Sequence, residues 1–195
     1  MTTQSDREKI SILVATKGRP LMFDIMRSSA LENAYFPDDL EIVASVNGRD
    51  EGYRESYPNT TIIYNDDNRI LSSRMNDAYL NATGNIFVGS DDDVIFRTVG
   101  WDLKVREAFD EYPDKIVLVY GRDLNPNATS NIAFPIIHRA WPTVIGRLFT
   151  PHFSSDFSDT WLCDIARNLR RIHKIDIVME HMHHSFGKRE KDKTD

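Results

Sequence analysis

The stretch Asn68-Arg-Ile-Leu-Ser-Ser-Arg-Met-Asn-Asp-Ala-Tyr-Leu-Asn-Ala-Thr-Gly-Asn-Ile-Phe-Val-Gly-Ser-Asp-Asp-Asp93 decides the fold. Leu71, Met75, Ala78 and Tyr79 recur at helical spacing, and Gly84 marks the stop. Ile86-Phe-Val-Gly89 is an apolar run of strand length, and three aspartates follow it directly. A helix running into a buried strand with carboxylates at its end is one unit of an α/β sheet.

The same alternation extends outward. Towards the N-terminus, Ile10 to Ala15 reads as a buried strand, and Pro20 suits the first position of a helix carrying Met22, Ile25 and Met26. Glu41 to Val46 and Thr61 to Tyr64 are further strands. Beyond the aspartates, a helix is predicted over 99–109, strands over 116–120 and 134–138, a striped helix over 156–172 and a strand over 174–179. This pattern implies one α/β domain over residues 1–187, with a Rossmann-like, mostly parallel central sheet and helices on both faces. Residues 188–195 read as a charged, flexible tail. Ligands of such sheets sit outside the carboxyl ends of the strands. The polar punctuation falls there: Thr16 to Arg19, Asn47 to Asp50, Asp91 to Asp93, and His181 to His184.

Composition narrows the function classes. The 195 residues are 41% hydrophobic and 28% charged, an ordinary soluble mixture, and no apolar run approaches membrane-spanning length. The N-terminal residues lack the apolar segment of a secretory signal. The single cysteine, Cys163, lies near Leu162 and Ile165 and reads as a buried structural thiol in a reducing, cytoplasmic setting. The formal charge of −6 disfavours non-specific attachment to nucleic acid or anionic lipid.

Three constellations could carry chemistry. In Asp91-Asp92-Asp93 the carboxylates repel one another, and alternation along a strand end sets Asp91 and Asp93 on one side. That arrangement suits a hard divalent ion holding phosphate oxygens; a solvated acidic loop or helix cap is the plainer alternative. In Glu180-His-Met-His-His184, His181 and His183 share a side, and one histidine with a carboxylate from another strand end completes a shell for an ion such as Mn²⁺. Asp156, Asp159 and Asp164 lie near the start of the striped helix, where a carboxylate either complements the helix dipole or deprotonates an acceptor hydroxyl. Trp161, beside Asp159, offers a flat apolar face to an acceptor, and His138 follows a strand where it could contact one.

Taken together, these pieces resemble a family-2-type glycosyltransferase with the GT-A fold. The match is continuous from Asn68 through Arg74, Asn76, Ala78 and Gly84-Asn85 to Asp91-Asp-Asp93, and Thr16-x-x-Arg19-Pro20 resembles the family's first nucleotide-contacting loop. The resemblance implies a sugar moved from a nucleotide-diphosphate donor, favoured as uridine-type, to an acceptor hydroxyl with inversion. It places Thr16, Arg19, Asn47, Arg74, Asp91, Asp92 and Asp93 at the donor, with Asp93 and His183 on Mn²⁺ or Mg²⁺ and His181 competing with His183. It makes Asp159 the general base, with Asp156 its competitor. Where the family carries an acidic residue for base recognition this chain has Asn47, with Asp50 in the following loop as a substitute. The acceptor could be a glycan, a lipid-linked sugar, a small metabolite or a modified nucleic-acid base. The alternatives are an inert nucleotide-sugar or metal-binding domain, and a nucleotidyltransferase. The latter normally opens with a glycine-rich loop, and Thr16-Lys-Gly-Arg19 has one glycine.

Overall fold

The computed structural model describes residues 7–48, 52–53, 57–65, 69–125, 132–153 and 157–192; Asp50, Asn68 and Asp156 lie outside them. The elements run β1 (Ile10–Thr16), α1 (Pro20–Glu32), β2 (Leu40–Asn47), β3 (Thr60–Asn65), α2 (Leu71–Asn81), β4 (Ile86–Asp91), β5 (Val94–Phe96) and α3 (Trp101–Asp110). They continue as β6 (Leu118–Arg122), β7 (Ile136–His138), α4 (Ala140–Ile145), α5 (Ser158–Asn168) and β8 (Ile172–His181). Two of these, β5 and α4, are not legible in the sequence. Three strand residues show no periodicity, and Pro142 inside α4 reads as a breaker although the first helical turn needs no N–H there.

All eight strands join one sheet in the order β3-β2-β1-β4-β7-β6-β8-β5. The half built from β3, β2, β1 and β4 is parallel, as the alternation predicts. The other half is mixed: β7 lies antiparallel to β4 and β6, β8 runs parallel to β6, and β5 runs antiparallel to β8. Two reversals through β7 return β6 and β8 to the direction of β4. The carboxyl ends of β1, β2, β4 and β8 therefore open on the same side.

Alternating side chains feed a core on each face of the sheet. Ile10, Ile12 and Val14 pack with Phe23 and Met26 of α1 and Trp101 and Phe109 of α3. Leu13 and Phe87 point the other way, into Met75 and Ala78 of α2 and Leu162, Cys163 and Ala166 of α5. Each fully buried large side chain contributes about 1.5–3 kcal/mol, and the two clusters fix the sheet between its helices. Among the described residues no helix is long and apolar enough to cross a membrane.

At the amino ends of the strands, Glu41 ties three segments together. Its carboxylate accepts from Ser11 Oγ of β1 at 2.6 Å, and from the Thr83 and Gly84 backbone N–H groups of the α2–β4 connection at 2.6 and 3.1 Å. Lys9 Nζ lies 2.7 Å away. Gly84 is required at this junction because a Cβ there would stand 2.5 Å from Ser11 Oγ and 2.6 Å from the Lys9 carbonyl oxygen. Burial alone would raise the Glu41 pKa, but the bonds from Lys9, Ser11 and Thr83 outweigh it and hold it at about 2. Its folded value lies below the unfolded one, so the stability it confers is complete above the ordinary carboxylate range and is lost as pH falls towards about 2. Glu41→Gln should cost roughly 1–3 kcal/mol at pH 7, measured by urea unfolding, and the gap from the parent protein should narrow steadily below the carboxylate's usual pKa of 4.5. An equal gap at pH 7 and pH 3 would exclude the ionised carboxylate as its source.

Candidate functional site

Between β4 and β5 the chain makes a two-residue link, Asp92-Asp93, while its flanks belong to opposite regions of the sheet. Val94 pairs with His181 at the end of β8, which sets His181 against the acidic link. His181 Nε2 lies 3.2 Å from Asp93 Oδ1 and 3.8 Å from Asp91 Oδ2. Among the described residues, Asp91, Asp93 and His181 form the one group whose ligand atoms, within 4.8 Å of one another, could hold a metal ion. Two carboxylates and an imidazole are a donor set suited to Mn²⁺ and similar ions.

Asp92 turns away from this group. It accepts from Thr16 Oγ1 at 2.6 Å and pairs with Arg19 Nη1 at 3.3 Å, while Thr16 Oγ1 also meets the Tyr53 hydroxyl at 2.5 Å. Burial pushes the Asp92 pKa up to about 6, opposed by the Thr16 bond and the Arg19 charge. The walls around Asp91 push it to about 6 as well; His181 opposes this, and the charges of Asp93, Asp92 and Asp159 add to it. The Asp91 side chain still keeps 47% of its surface open, so water relieves part of that shift. Asp93 goes the other way: despite burial, His181 and Arg189 lower its pKa. For His181, burial works to lower the pKa, and the bond to Asp93 with the charge of Asp91 outweighs it and raises the value.

Two adjoining cavities share Asp91, His181 and Leu71. One, of about 390 Å³, is polar and includes Lys17, Arg19, Arg74 and the three aspartates. Arg74 comes from the first turn of α2; Nη1 reaches the Thr16 carbonyl oxygen at 3.4 Å, whereas Nε is buried with no partner among the described residues. Burial lowers the Arg74 pKa against the pull of Asp92 and Asp91. A half-buried guanidinium with an unused donor beside a cation site fits an anionic ligand. The other cavity, of about 340 Å³, has walls of Met75, Pro135, Phe149 and Phe157, with Asp159 among its polar groups. Asp159 lies in the first turn of α5, where its Oδ1 accepts from the Thr160 N–H at 2.7 Å.

Thr16, Arg19, Arg74, Asp91, Asp92, Asp93 and Asp159 thus converge from four segments: the end of β1 with its following turn, α2, the end of β4 with its link, and α5. Asn47 ends β2 opposite Asn65 and is a wall of neither cavity. His183 borders the polar cavity, but its Nδ1 bonds the Ser185 hydroxyl at 2.7 Å; His181 holds the place in the Asp91–Asp93 group. Trp161 packs half-buried on the α2–α5 core. His138 is not brought to the site. It pairs with Ile86 at the far end of β4, roughly 17 Å away at the usual rise per residue, and its Nε2 meets Glu8 at 2.8 Å. Sequence reasoning missed Arg189 and Asp192, which bind Asp93 and Arg19 respectively. The signal available was the mixed charge of Lys188 to Asp192, a few residues beyond the histidines.

No protein-family model matches the sequence, and no curated protein matches it. Solved structures do. A mannosyltransferase from Pyrobaculum calidifontis, in complex with GDP-Man and Mn²⁺, superimposes with a TM-score of 0.74 at 17% identity, over 90% of this chain and 57% of that one. S. aureus TarS 1–349 in complex with UDP-GlcNAc superimposes with a TM-score of 0.68 at 16% identity, over 94% of this chain and 60% of that one. The fold is therefore GT-A-like, and the chain spans somewhat more than half the length of these two neighbours.

His181→Ala should weaken Mn²⁺ binding by at least the roughly ten- to hundred-fold that loss of a supporting residue costs at a metal site, read by the electron paramagnetic resonance of free Mn²⁺. His183→Ala should leave it within a few-fold of the parent protein. The reverse ranking would assign the ligand to His183.

Proposed function

We propose that this protein is a metal-dependent glycosyltransferase that moves a sugar from a nucleotide-diphosphate donor to an acceptor hydroxyl. The observation that carries this reading is the Asp91–Asp93–His181 group at the junction of a cationic, polar cavity and a second cavity containing Asp159. The complexes of its structural neighbours, one with GDP-Man and Mn²⁺ and one with UDP-GlcNAc, support the donor half of this reading.

Asp93, Asp91 and His181 would hold Mn²⁺ or Mg²⁺. When bound, that ion supplies Lewis-acid neutralisation of the charge developing on the departing diphosphate. Arg74, through its unused Nε, and Arg19 would bind and orient the diphosphate, while Asp92 keeps Arg19 and Thr16 in place. A uridine-type donor is favoured by the resemblance rather than by Asn47, which stands where the family has an acidic residue. Its amide both donates and accepts, so a uracil base could still be met from the end of β2. Asp159 would take the proton of the acceptor hydroxyl across the shared wall. A donor in one cavity and an acceptor in the next suit a single displacement with inversion. The apolar walls of the second cavity, Phe149 and Phe157 among them, would cover the acceptor's flat face and keep water from the transferred carbon. The setting proposed is cytoplasmic, in keeping with one buried cysteine, Cys163, whose thiol burial pushes up to about 11.

Thermal unfolding against nucleoside diphosphates and nucleotide sugars, with and without Mn²⁺, tests the donor site. A ligand at about a hundred times its Kd adds ~2.7 kcal/mol, roughly 5 to 10 °C at this size. Asp93→Ala should abolish the Mn²⁺-dependent part of the shift. Asp159→Asn should retain the shift and lower nucleoside-diphosphate release from the matching donor by about 10²- to 10⁴-fold. Full release by Asp159→Asn would remove Asp159 as the base, and no shift with any nucleotide would remove the donor site.

A further inference from the structure

The segment after β8 folds back onto two residues of the polar cavity, Asp93 and Arg19. Lys188 anchors it, donating to Glu180 Oε1 at 2.9 Å and to the Leu124 carbonyl oxygen at 3.2 Å. Just before it, Gly187 adopts φ +68°, a conformation that suits glycine and lets the chain reverse. Arg189 then reaches inward with its side chain 11% exposed, and Nη2 and Nε stand 3.2 and 3.3 Å from Asp93 Oδ2. Three residues on, Asp192 meets Arg19 as a fork, with Oδ2 2.8 Å from Nε and Oδ1 3.0 Å from Nη2. Arg189 Nη1 lies 3.4 Å from Asp192 Oδ2, which links the two contacts.

A cation therefore rests on a carboxylate of the ligand group, and an anion next to it rests on an arginine of the same cavity. That is the charge order of a metal ion followed by a phosphate. We propose that Arg189 and Asp192 are a built-in stand-in for the metal and the diphosphate, so that residues 188–192 occupy the donor site until both arrive together. This rests on the donor-site reading above.

The physical reason lies in charge balance. Asp93 is 3% exposed and follows two more carboxylates, so with His181 already shared between Asp91 and Asp93, removing the Arg189 charge without a replacement is unfavourable. A metal ion alone must displace Arg189 while Asp192 still occupies Arg19. A diphosphate alone must displace Asp192 and then face the aspartates. Only the pair replaces both charges like for like, so metal and nucleotide should assist one another, and each alone should bind weakly because the open site is rarely populated.

Binding of Mn²⁺ alone by electron paramagnetic resonance, and of UDP and GDP alone and with Mn²⁺ by calorimetry, should be compared in the parent protein, Arg189→Gln and Asp192→Asn. Arg189→Gln should tighten Mn²⁺ alone, and Asp192→Asn the nucleoside diphosphate alone, by roughly five- to thirty-fold. The mutual assistance of metal and nucleotide should shrink in both variants. Trypsin should cut the parent protein after Arg189 faster only when Mn²⁺ and the nucleotide are both present. Unchanged or weakened binding in the variants, or slower cleavage with both present, would overturn the stand-in and leave the donor site intact. Absence of Mn²⁺ and nucleotide binding in all three proteins would overturn both.

Discussion

Three consecutive carboxylates at the end of β4 must be held close against their mutual repulsion, and the contact between Asp93 and His181 is the one on which the surrounding architecture depends. It exists because β5 leaves the acidic link and pairs with β8, bringing the far edge of the sheet back to its centre. Each carboxylate then has a different compensator. Asp93 has His181 and Arg189, Asp92 has Thr16 and Arg19, and Asp91 keeps partial access to water. Such a set of separately balanced charges is poised for a divalent cation, which could satisfy Asp91 and Asp93 at once.

The packing explains why these positions hold. The two core clusters clamp the parallel strands between α1 and α3 on one face and α2 and α5 on the other, so β1 and β4 present Thr16 and Asp91 from rigid supports. α2 and α5 also supply Arg74 and Asp159 from their first turns, helix beginnings that face the same carboxyl edge. Stability and chemistry are separated along the strands. The amino ends carry the fully satisfied Glu41 cluster and the Glu8–His138 pair, and the carboxyl ends carry the unused donor of Arg74 and the crowded aspartates.

Much of this was legible because it is local. Buried strands 10–16 and 86–91 announce themselves as apolar runs, and the helix of Leu71, Met75 and Ala78 by its period. The rule that ligands gather at carboxyl ends of parallel strands then pointed to Thr16, Arg19, Asp91 and Asp93 without knowledge of any contact. His138 shows where that logic fails. It ends a strand too, but β7 runs antiparallel to β4, and strand direction cannot be read from a three-residue run.

The sequence by itself determined the element types of the first half, the parallel sheet they build and the edge on which polar groups would meet, because periodicity and strand-end chemistry are properties of neighbouring residues. Only the tertiary structure decided that His181 faces the aspartates while His183 bonds Ser185, and that Arg189 and Asp192 pair with Asp93 and Arg19 of the same cavity. Those outcomes rest on the register of β8 against β5 and on a reversal at Gly187. Shifting that register by one residue would turn His181 away, and no local pattern encodes a pairing between residues nearly ninety positions apart.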